Sequence, residues 1–340
     1  MDWPQLGLYL TAMINNTLIS TSLPTIAVVV PAYRVEKQIG WVLDNIPEFV
    51  STVIVVNDAS PDDAQLVIDE CARKDARIVP LRHEKNQGVG GAMLTGFREA
   101  MRREVEIIVK VDGDGQMDPA DIPDLIQPLL DGEADFCKGN RFQDLKALRK
   151  MPTIRLMGNV AASLLAKTAT GYWNMFDPAN GFFALRTFVL RRLDLNVIAR
   201  DYLFETSLLS ELYHIRAVVR DVPIPARYAD ENSSISYSRM VIRYPSALIG
   251  YTFKRIGLHY FVYDFNLASI FTLLGLPLLI FGVIFGAVKW IHFASIQVPA
   301  PTGTVILATL SILIGIHFIT QAVGYDLQSV PKQPISPKWD

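Results

Sequence analysis

Apolar positions fall in two rhythms along the first two thirds of the chain. Short β-branched runs at residues 25–31 (TIAVVVP), 52–58 (TVIVVND), 77–81 (RIVPL), 105–111 (VEIIVKV) and 134–139 (ADFCKG) predict strands buried on both faces. Between them, Ile39, Val42, Leu43 and Ile46 recur at helical spacing, as do Ala64, Val67, Ile68 and Cys71, and then Leu94, Phe97 and Met101. Ser60-Pro61-Asp62-Asp63 reads as a helix start, with Ser60 as N-cap, proline at N1 and acids in the first turn. Strands alternating with amphipathic helices predict βαβ units, an α/β class and a mostly parallel sheet. From about residue 151 to 230 the pattern is mixed: a helix after Pro152, the piece DPANGFFALR (177–186), a helix at FETSLLSELYHI (204–215) and a strand at RAVVRDVPI (216–224).

The rhythm then disappears. Residues 267–288 and 303–325 are uncharged apolar runs of about 22 and 23 residues, which at 1.5 Å per residue exceed the ~30 Å hydrocarbon core of a bilayer. The connection HFASIQVPAPT (292–302) carries no Lys or Arg, so the pair predicts a transmembrane hairpin. Arg239, Arg243, Lys254 and Arg255 precede the first span, and Lys332 and Lys338 follow the second; Lys289 is the exception. The positive-inside rule therefore puts the large domain and the C-terminus in the cytoplasm. Residues 240–265 mix aromatics and cations with apolar positions and predict interfacial helices lying on the bilayer. The first 24 residues have no basic n-region, and Asn15 and Asn16 interrupt their apolar run, so they read as a leader before the first strand.

Composition refines this. Of 340 residues, 50% are hydrophobic and 19% charged, apolar for a soluble protein, and residues 290–325 contain no Asp, Glu, Lys or Arg. A net charge of −2 shows no global basicity of the kind that nucleic-acid binding needs. Cys71 and Cys137 lie far apart in apolar patterns and read as buried free thiols in a reducing compartment.

The chemistry concentrates at VDGDGQMDP (111–119), directly after an apolar strand. Asp112, Asp114 and Gln116 alternate, so one turn can aim three oxygens at one point. Hard cations such as Mg²⁺ or Mn²⁺ take such ligands and fill their remaining positions with water and substrate phosphates. Asp58 ends the second strand, where a carboxylate can bond the base or ribose of a nucleotide. The glycines of NQGVGGA (86–92) suit either a close ligand approach or a plain tight turn. The chain has neither the G-x-G-x-x-G spacing of dinucleotide folds nor a Walker motif, which disfavours hydride transfer and P-loop ATPase chemistry.

Seven segments, VVVPAYRVEKQIGWVL, VIVVNDASPDD, NQGVGGAMLTGF, VKVDGDGQMDP, KGNRF, DPANGFFALR and VPIPARYADENSS, occur in the order seen in family 2 glycosyltransferases of GT-A fold. More narrowly, the chain resembles dolichol-phosphate mannose synthases and polyprenyl-phosphate glucosyltransferases with two C-terminal membrane helices. The resemblance implies a membrane-anchored, inverting transfer of a hexose from a UDP-glucose or GDP-mannose type donor to a polyprenyl or dolichyl phosphate. It implies that Pro31, Tyr33, Glu36, Asp58, Gly88, Gly90 and Asp112 bind the nucleotide sugar, and that Asp112, Asp114 and Gln116 hold a divalent cation. Arg141, Arg155 and Arg227, with Asp177 and Asn180, would hold the acceptor phosphate; Asp112, Asp114, Arg141 and Arg155 are the expected catalytic set. Four positions depart from the family pattern: Arg34-Val35 replaces Asn-Glu, Asn57 replaces the first acid of Asp-Asp, and Asn180 replaces a serine. The implied organisation is a leader (1–24), a GT-A domain (25–234), juxtamembrane amphipathic helices (235–265), two spans within 266–326 and a cytoplasmic tail (327–340), with homo-oligomer formation through the hairpin expected. The rival readings are transfer to a different acceptor, such as a polysaccharide or soluble glycan, and a non-catalytic nucleotide-binding membrane scaffold. A processive synthase would carry Gln-x-x-Arg-Trp, which is absent.

Overall fold

The computed structural model describes residues 24–141, 153–176, 180–225 and 237–339. Seven strands form one sheet: β1 (Ile26–Ala32), β2 (Thr52–Asn57), β3 (Ile78–Arg82), β4 (Ile107–Lys110), β5 (Phe136–Asn140), β6 (Phe183–Arg186) and β7 (Val219–Pro223). Their spatial order is β3-β2-β1-β4-β6-β5-β7, and β6 runs antiparallel to both of its neighbours. The other pairings are parallel, which is the mostly parallel architecture the alternating pattern predicted. Because β1, β2, β3 and β4 are parallel, their carboxyl ends share one edge, where open α/β sheets bind ligands.

The β-branched runs are buried on both sides because helices cover both faces. Val28, Val30, Val53 and Val55 pack with α1 (Ile39–Asp44), α2 (Ala64–Lys74) and α4 (Ile122–Leu130). The intervening Ala27, Val29, Ile54 and Val56 pack with α3 (Gly88–Arg102) and α6 (Phe204–His214). Full burial of such side chains contributes roughly 1.5–3 kcal/mol each. Cys71 and Cys137 are buried free thiols, as expected.

One helix start differs from expectation. The helix after β2 begins at Ala64, with Asp63 as a cap that makes no side-chain bond. The Ser60 hydroxyl instead accepts from the Arg34 amide at 2.7 Å, and Asp62 accepts from the Glu36 amide at 3.0 Å. Residues 60–62 are thus committed to fastening the loop after β1, which removes them from the helix.

Four further helices and a π-helical turn build the membrane side. α5 (Thr153–Thr170) and α7 (Tyr237–Ile256) pack on the α/β domain, and a π-helical turn (Gly257–Val262) leads to α8 (Leu267–Ser295) and α9 (Thr302–Gln328). α8 and α9 have mean hydropathies of 2.4 and 2.0, and only 22% and 11% of their most apolar windows are buried. That exposure separates them from the core helices of a soluble protein. At 1.5 Å per residue, 29 and 27 residues reach about 43 and 40 Å, longer than the apolar runs alone predicted. Small residues let the two helices approach: a Cβ on Gly282 would lie 2.8 Å from Ile312, and one on Gly315 would lie 2.6 Å from the Leu279 backbone.

A buried ion pair fastens this hairpin. Arg255 Nη1 and Nη2 donate to the two Asp326 oxygens at 2.7 and 2.9 Å, Trp173 Nε1 donates to Asp326 at 2.7 Å, and Arg255 Nε donates to the Thr168 carbonyl at 3.0 Å. Both charges are buried, at 2% and 3% exposure. Burial works against the guanidinium, but the Asp326 carboxylate outweighs it and raises its pKa. Arg255 is therefore not one of the headgroup-facing cations that the positive-inside argument counted. Beside it, His214 and His259 stack at 5.1 Å with ring nitrogens 2.9 Å apart, joining α6 to the π-helical turn.

Residues 329–339, within the expected cytoplasmic tail, are docked on the α/β domain. The Ile335 and Ser336 amides donate to buried Asp135 at 3.0 and 2.8 Å, and Trp339 Nε1 donates to the Leu129 carbonyl. Arg186 stacks over the Trp339 ring at 3.6 Å and donates to the Pro337 carbonyl. Asp135 also accepts from the Val218 amide, so the segment ties into the amino ends of β5 and β7. Residues 329–339 and the α/β domain thus lie on one side of the hairpin.

Asp326→Ala leaves a buried, unpaired guanidinium and is expected to cost about 3–5 kcal/mol. Thermal unfolding of the detergent-solubilised protein checks this. The charge-free pair Arg255→Met with Asp326→Leu should recover most of the lost stability.

Candidate active site at the carboxyl edge of the sheet

β4 must carry two carboxylates out of an apolar sheet, and Lys110 makes that feasible. Lys110 is the last residue of β4 and is 1% exposed. Its Nζ lies 2.7 Å from Asp112 Oδ1 and 3.3 Å from Glu205 Oε1, at the start of α6. Burial opposes its charge, but Asp112 and Glu205 outweigh that and hold its pKa above the ordinary lysine value. Sequence reasoning missed both Lys110 and Glu205. The available signal was a lone lysine in an otherwise apolar strand, two residues before Asp112.

The loop after β4 turns tightly over β1. Gly113 N donates to the Pro31 carbonyl at 3.4 Å, and a Cβ at 113 would sit 3.2 Å from that oxygen. Gly115 has φ +73°, which aims the loop toward Gln38 and Trp41. Asp114 Oδ1 accepts from the Gln116 amide at 3.0 Å. Asp112 and Asp114 are half-buried and Gln116 is exposed, so the expected donors share one turn at the sheet edge. No cluster of three His, Cys, Asp or Glu side chains suited to a metal occurs among the described residues. The donor set is two carboxylates and an amide, all hard oxygens, which fits a Mg²⁺ or Mn²⁺ that completes its shell with water and a diphosphate. Gly181 closes the other side: a Cβ there would lie 2.7 Å from Asp112 Oδ2.

The nucleotide side differs from expectation in two places. Asp58 is 3% exposed and its carboxylate is already engaged. It lies 2.6 Å from His83 Nδ1 and accepts from the Gln87 and Gly88 amides at 2.8 Å each. It holds the glycine loop in place instead of facing an open groove. Gly88 (φ +83°) and Gly90 do permit a close approach, but to the protein's own backbone: their Cβ atoms would lie 2.6 Å from the Arg200 carbonyl and 2.3 Å from the Ala199 carbonyl. Pro31 and the exposed Tyr33 and Glu36 line the edge beside the Asp112 loop. A cleft of about 450 Å³ opens at the ends of β2 and β3, lined by Ala59, Ser60, Arg82, His83 and Glu84. Arg82 and Glu84 were not anticipated, although they follow directly on the strand RIVPL.

On the acceptor side, Arg141 follows β5 at the same edge, and Arg155 lies in the first turn of α5. Asn180 is 3% exposed; it donates to the Gly139 carbonyl at 2.7 Å and accepts from the Phe182 amide. Its amide thus bridges β5 and β6, which leaves the expected phosphate contact without geometric support. Asp177 and Arg227 lie outside the described residues.

A family model described as "Glycosyl transferase family 2" matches residues 27–194. An undecaprenyl-phosphate mannosyltransferase of Micrococcus luteus is 30% identical over 201 residues, 58% of this chain and 81% of that protein. The chain belongs to glycosyltransferase family 2. The transferase is also similar to a UDP-N-acetylglucosamine–dolichyl-phosphate N-acetylglucosaminyltransferase of Methanococcus voltae (28% over 218 residues, 60% of this chain and 86% of the relative). A polyprenol monophosphomannose synthase of Mycolicibacterium smegmatis is 28% identical over 201 residues, 58% of this chain and 75% of that enzyme.

If the glycines serve internal packing, Gly90→Ala should destabilise the ligand-free transferase by about 1–3 kcal/mol through the clash with Ala199. A melting temperature measured without nucleotide checks this. An unchanged value would restore a purely ligand-facing role.

Proposed function

We propose that this family 2 transferase moves a hexose or N-acetylhexosamine from a nucleotide diphosphate sugar to the phosphate of a polyprenyl or dolichyl phosphate. The observation that supports the reading is that Asp112, Asp114 and Gln116 share one turn at the sheet edge, in a chain that carries two C-terminal helices of membrane-spanning length. The named relatives use dolichyl, undecaprenyl or polyprenol phosphate, which supports a lipid acceptor. Their names differ in the sugar, N-acetylglucosamine or mannose, so the sugar does not follow from the family.

The nucleoside is assigned to the cleft at the ends of β2 and β3, beside Arg82 and Glu84, with Pro31, Tyr33 and Glu36 along its rim. Asp112, Asp114 and Gln116 would hold the divalent cation, which when bound supplies Lewis-acid neutralisation of the donor diphosphate. Arg141, Arg155 and Arg227 are assigned to the acceptor phosphate, because guanidinium groups pair bidentately with phosphate oxygens. An ionised phosphate oxygen needs no base to remove a proton. It attacks the anomeric carbon as the bond to the diphosphate oxygen breaks, and the electron pair leaves with the nucleoside diphosphate. One such displacement inverts the anomeric centre.

The catalytic domain and the C-terminus are assigned to the cytoplasm, where Lys254, Lys332 and Lys338 flank the spans and nucleotide sugars are available. Residues 25–234 are proposed as the catalytic unit and 235–265 as the interfacial segment, supported by exposed Phe253, Phe261, Tyr263 and Phe265. The outward apolar faces of α8 and α9 meet lipid in this reading, and a second copy is proposed to pair through them.

Incubation with a polyprenyl phosphate and a panel of radiolabelled UDP- and GDP-sugars should yield organic-extractable label from at least one donor. Asp114→Ala should lower that yield by about 10²–10³-fold or more while the melting temperature is retained. Near wild-type turnover of that variant in divalent metal would contradict the cation assignment.

A further inference from the structure

Lys110 is sealed in place. It is 1% exposed at the end of a central strand, with Asp112 Oδ1 at 2.7 Å and Glu205 Oε1 at 3.3 Å. The Gly181 backbone closes over the pair: a Cβ at that position would lie 2.5 Å from Lys110 Nζ and 2.7 Å from Asp112 Oδ2. On the far side, Phe183 of β6 pairs in register with Lys110 and places its ring centroid 5.9 Å from the ammonium. Nothing in this arrangement lets the ammonium swing into water.

A fixed positive charge on one oxygen of a cation ligand acts in two ways. It orients the carboxylate, and it repels any second cation brought to the other oxygen. Both act strongly here, because a partly buried site screens charge less than water does. Glu205 moderates the repulsion, since it draws on the same ammonium. A nucleoside diphosphate carries the negative charge that offsets what remains.

We propose that Lys110 is a positioning residue that keeps Asp112 neutralised in the donor-free enzyme, so that the divalent cation enters with the nucleotide diphosphate instead of ahead of it. The inference rests on the assignment of Asp112, Asp114 and Gln116 as cation ligands. It adds that the order of entry is set by a residue that touches neither substrate. Because binding energies are reciprocal, the diphosphate should tighten the cation as much as the cation tightens the diphosphate. That coupling should depend on Lys110.

Mn²⁺ binding to the full-length protein in detergent, read from the loss of the free-ion EPR signal, tests this with Mn²⁺ alone and with Mn²⁺ plus UDP or GDP. In the wild type, Mn²⁺ alone should bind weakly, and one diphosphate should tighten it by about a hundredfold, near the upper range of such couplings. Lys110→Met should tighten Mn²⁺ alone by about tenfold or more and shrink the coupling accordingly. Glu205→Gln leaves Lys110 to Asp112 alone and should weaken Mn²⁺ binding by about threefold or more. Opposite signs from two members of one cluster are not what a purely structural role produces, and a far-UV spectrum reports whether each variant folds. If Lys110→Met does not fold, the Glu205→Gln arm decides, and unchanged or tighter Mn²⁺ binding there overturns the proposal. Unchanged or weaker Mn²⁺ binding by folded Lys110→Met also overturns it, while the ligand assignment stands. No Mn²⁺ binding by the wild type, with or without either diphosphate, removes the ligand assignment and the proposal with it.

Discussion

An ammonium sealed at the end of a strand buried on both faces needs counter-charges beside it, because an isolated ion inside a protein is strongly disfavoured. Here that requirement is met for Lys110 by Asp112 and Glu205. Much of the site's geometry follows from it. β4 can run apolar up to Lys110, and α6 must present Glu205 at its first turn. The β6 approach must be a glycine, since a Cβ at 181 would collide with both charges. The two faces of the sheet, otherwise filled by aliphatic side chains, are thereby interrupted at the one edge where a polar ligand can enter.

The second organising pair, Arg255 with Asp326, sits at the carboxyl-terminal end of α7 and fixes the hairpin to the catalytic domain. It lies beside the carboxyl-terminal ends of α5 and α6, through the Thr168 carbonyl and the neighbouring His214–His259 stack. The docked segment 329–339 extends that attachment under the amino ends of β5 and β7. The donor edge and the hairpin are therefore mechanically linked through α6, which carries Glu205 at one end and His214 at the other.

Most of this fold was legible because its signals are local. β-branched runs bounded by turns, helical spacing of Ile39, Val42 and Leu43, and uncharged runs beyond 20 residues each need only neighbours in sequence. The Asp112, Asp114 and Gln116 turn was legible for the same reason. What was misread depends on partners far along the chain. Ser60 looked like a cap until the Arg34 amide claimed its hydroxyl. The glycines at 88 and 90 suited either a ligand approach or a tight turn, and a Cβ on either would meet the backbone of Ala199 or Arg200, over 100 residues away. Arg255 looked like a headgroup cation because its partner Asp326 lies 71 residues away, and the docking of the C-terminal segment on Asp135 spans about 200 residues. Asp58, expected at the nucleotide, and Asn180, expected at the acceptor phosphate, have internal partners in His83, Gly88 and Gly139 that no local pattern reveals. A motif marks where polarity is needed; the structure shows which partner takes it up.

The central claim is that a lipid phosphate at this edge displaces a nucleoside diphosphate in one step. The anomeric configuration of the lipid-linked product, determined by NMR from a donor of known configuration, tests it most directly. The account predicts inversion. A product that retains the donor's configuration would contradict it, since retention requires a second displacement or a different path through the site.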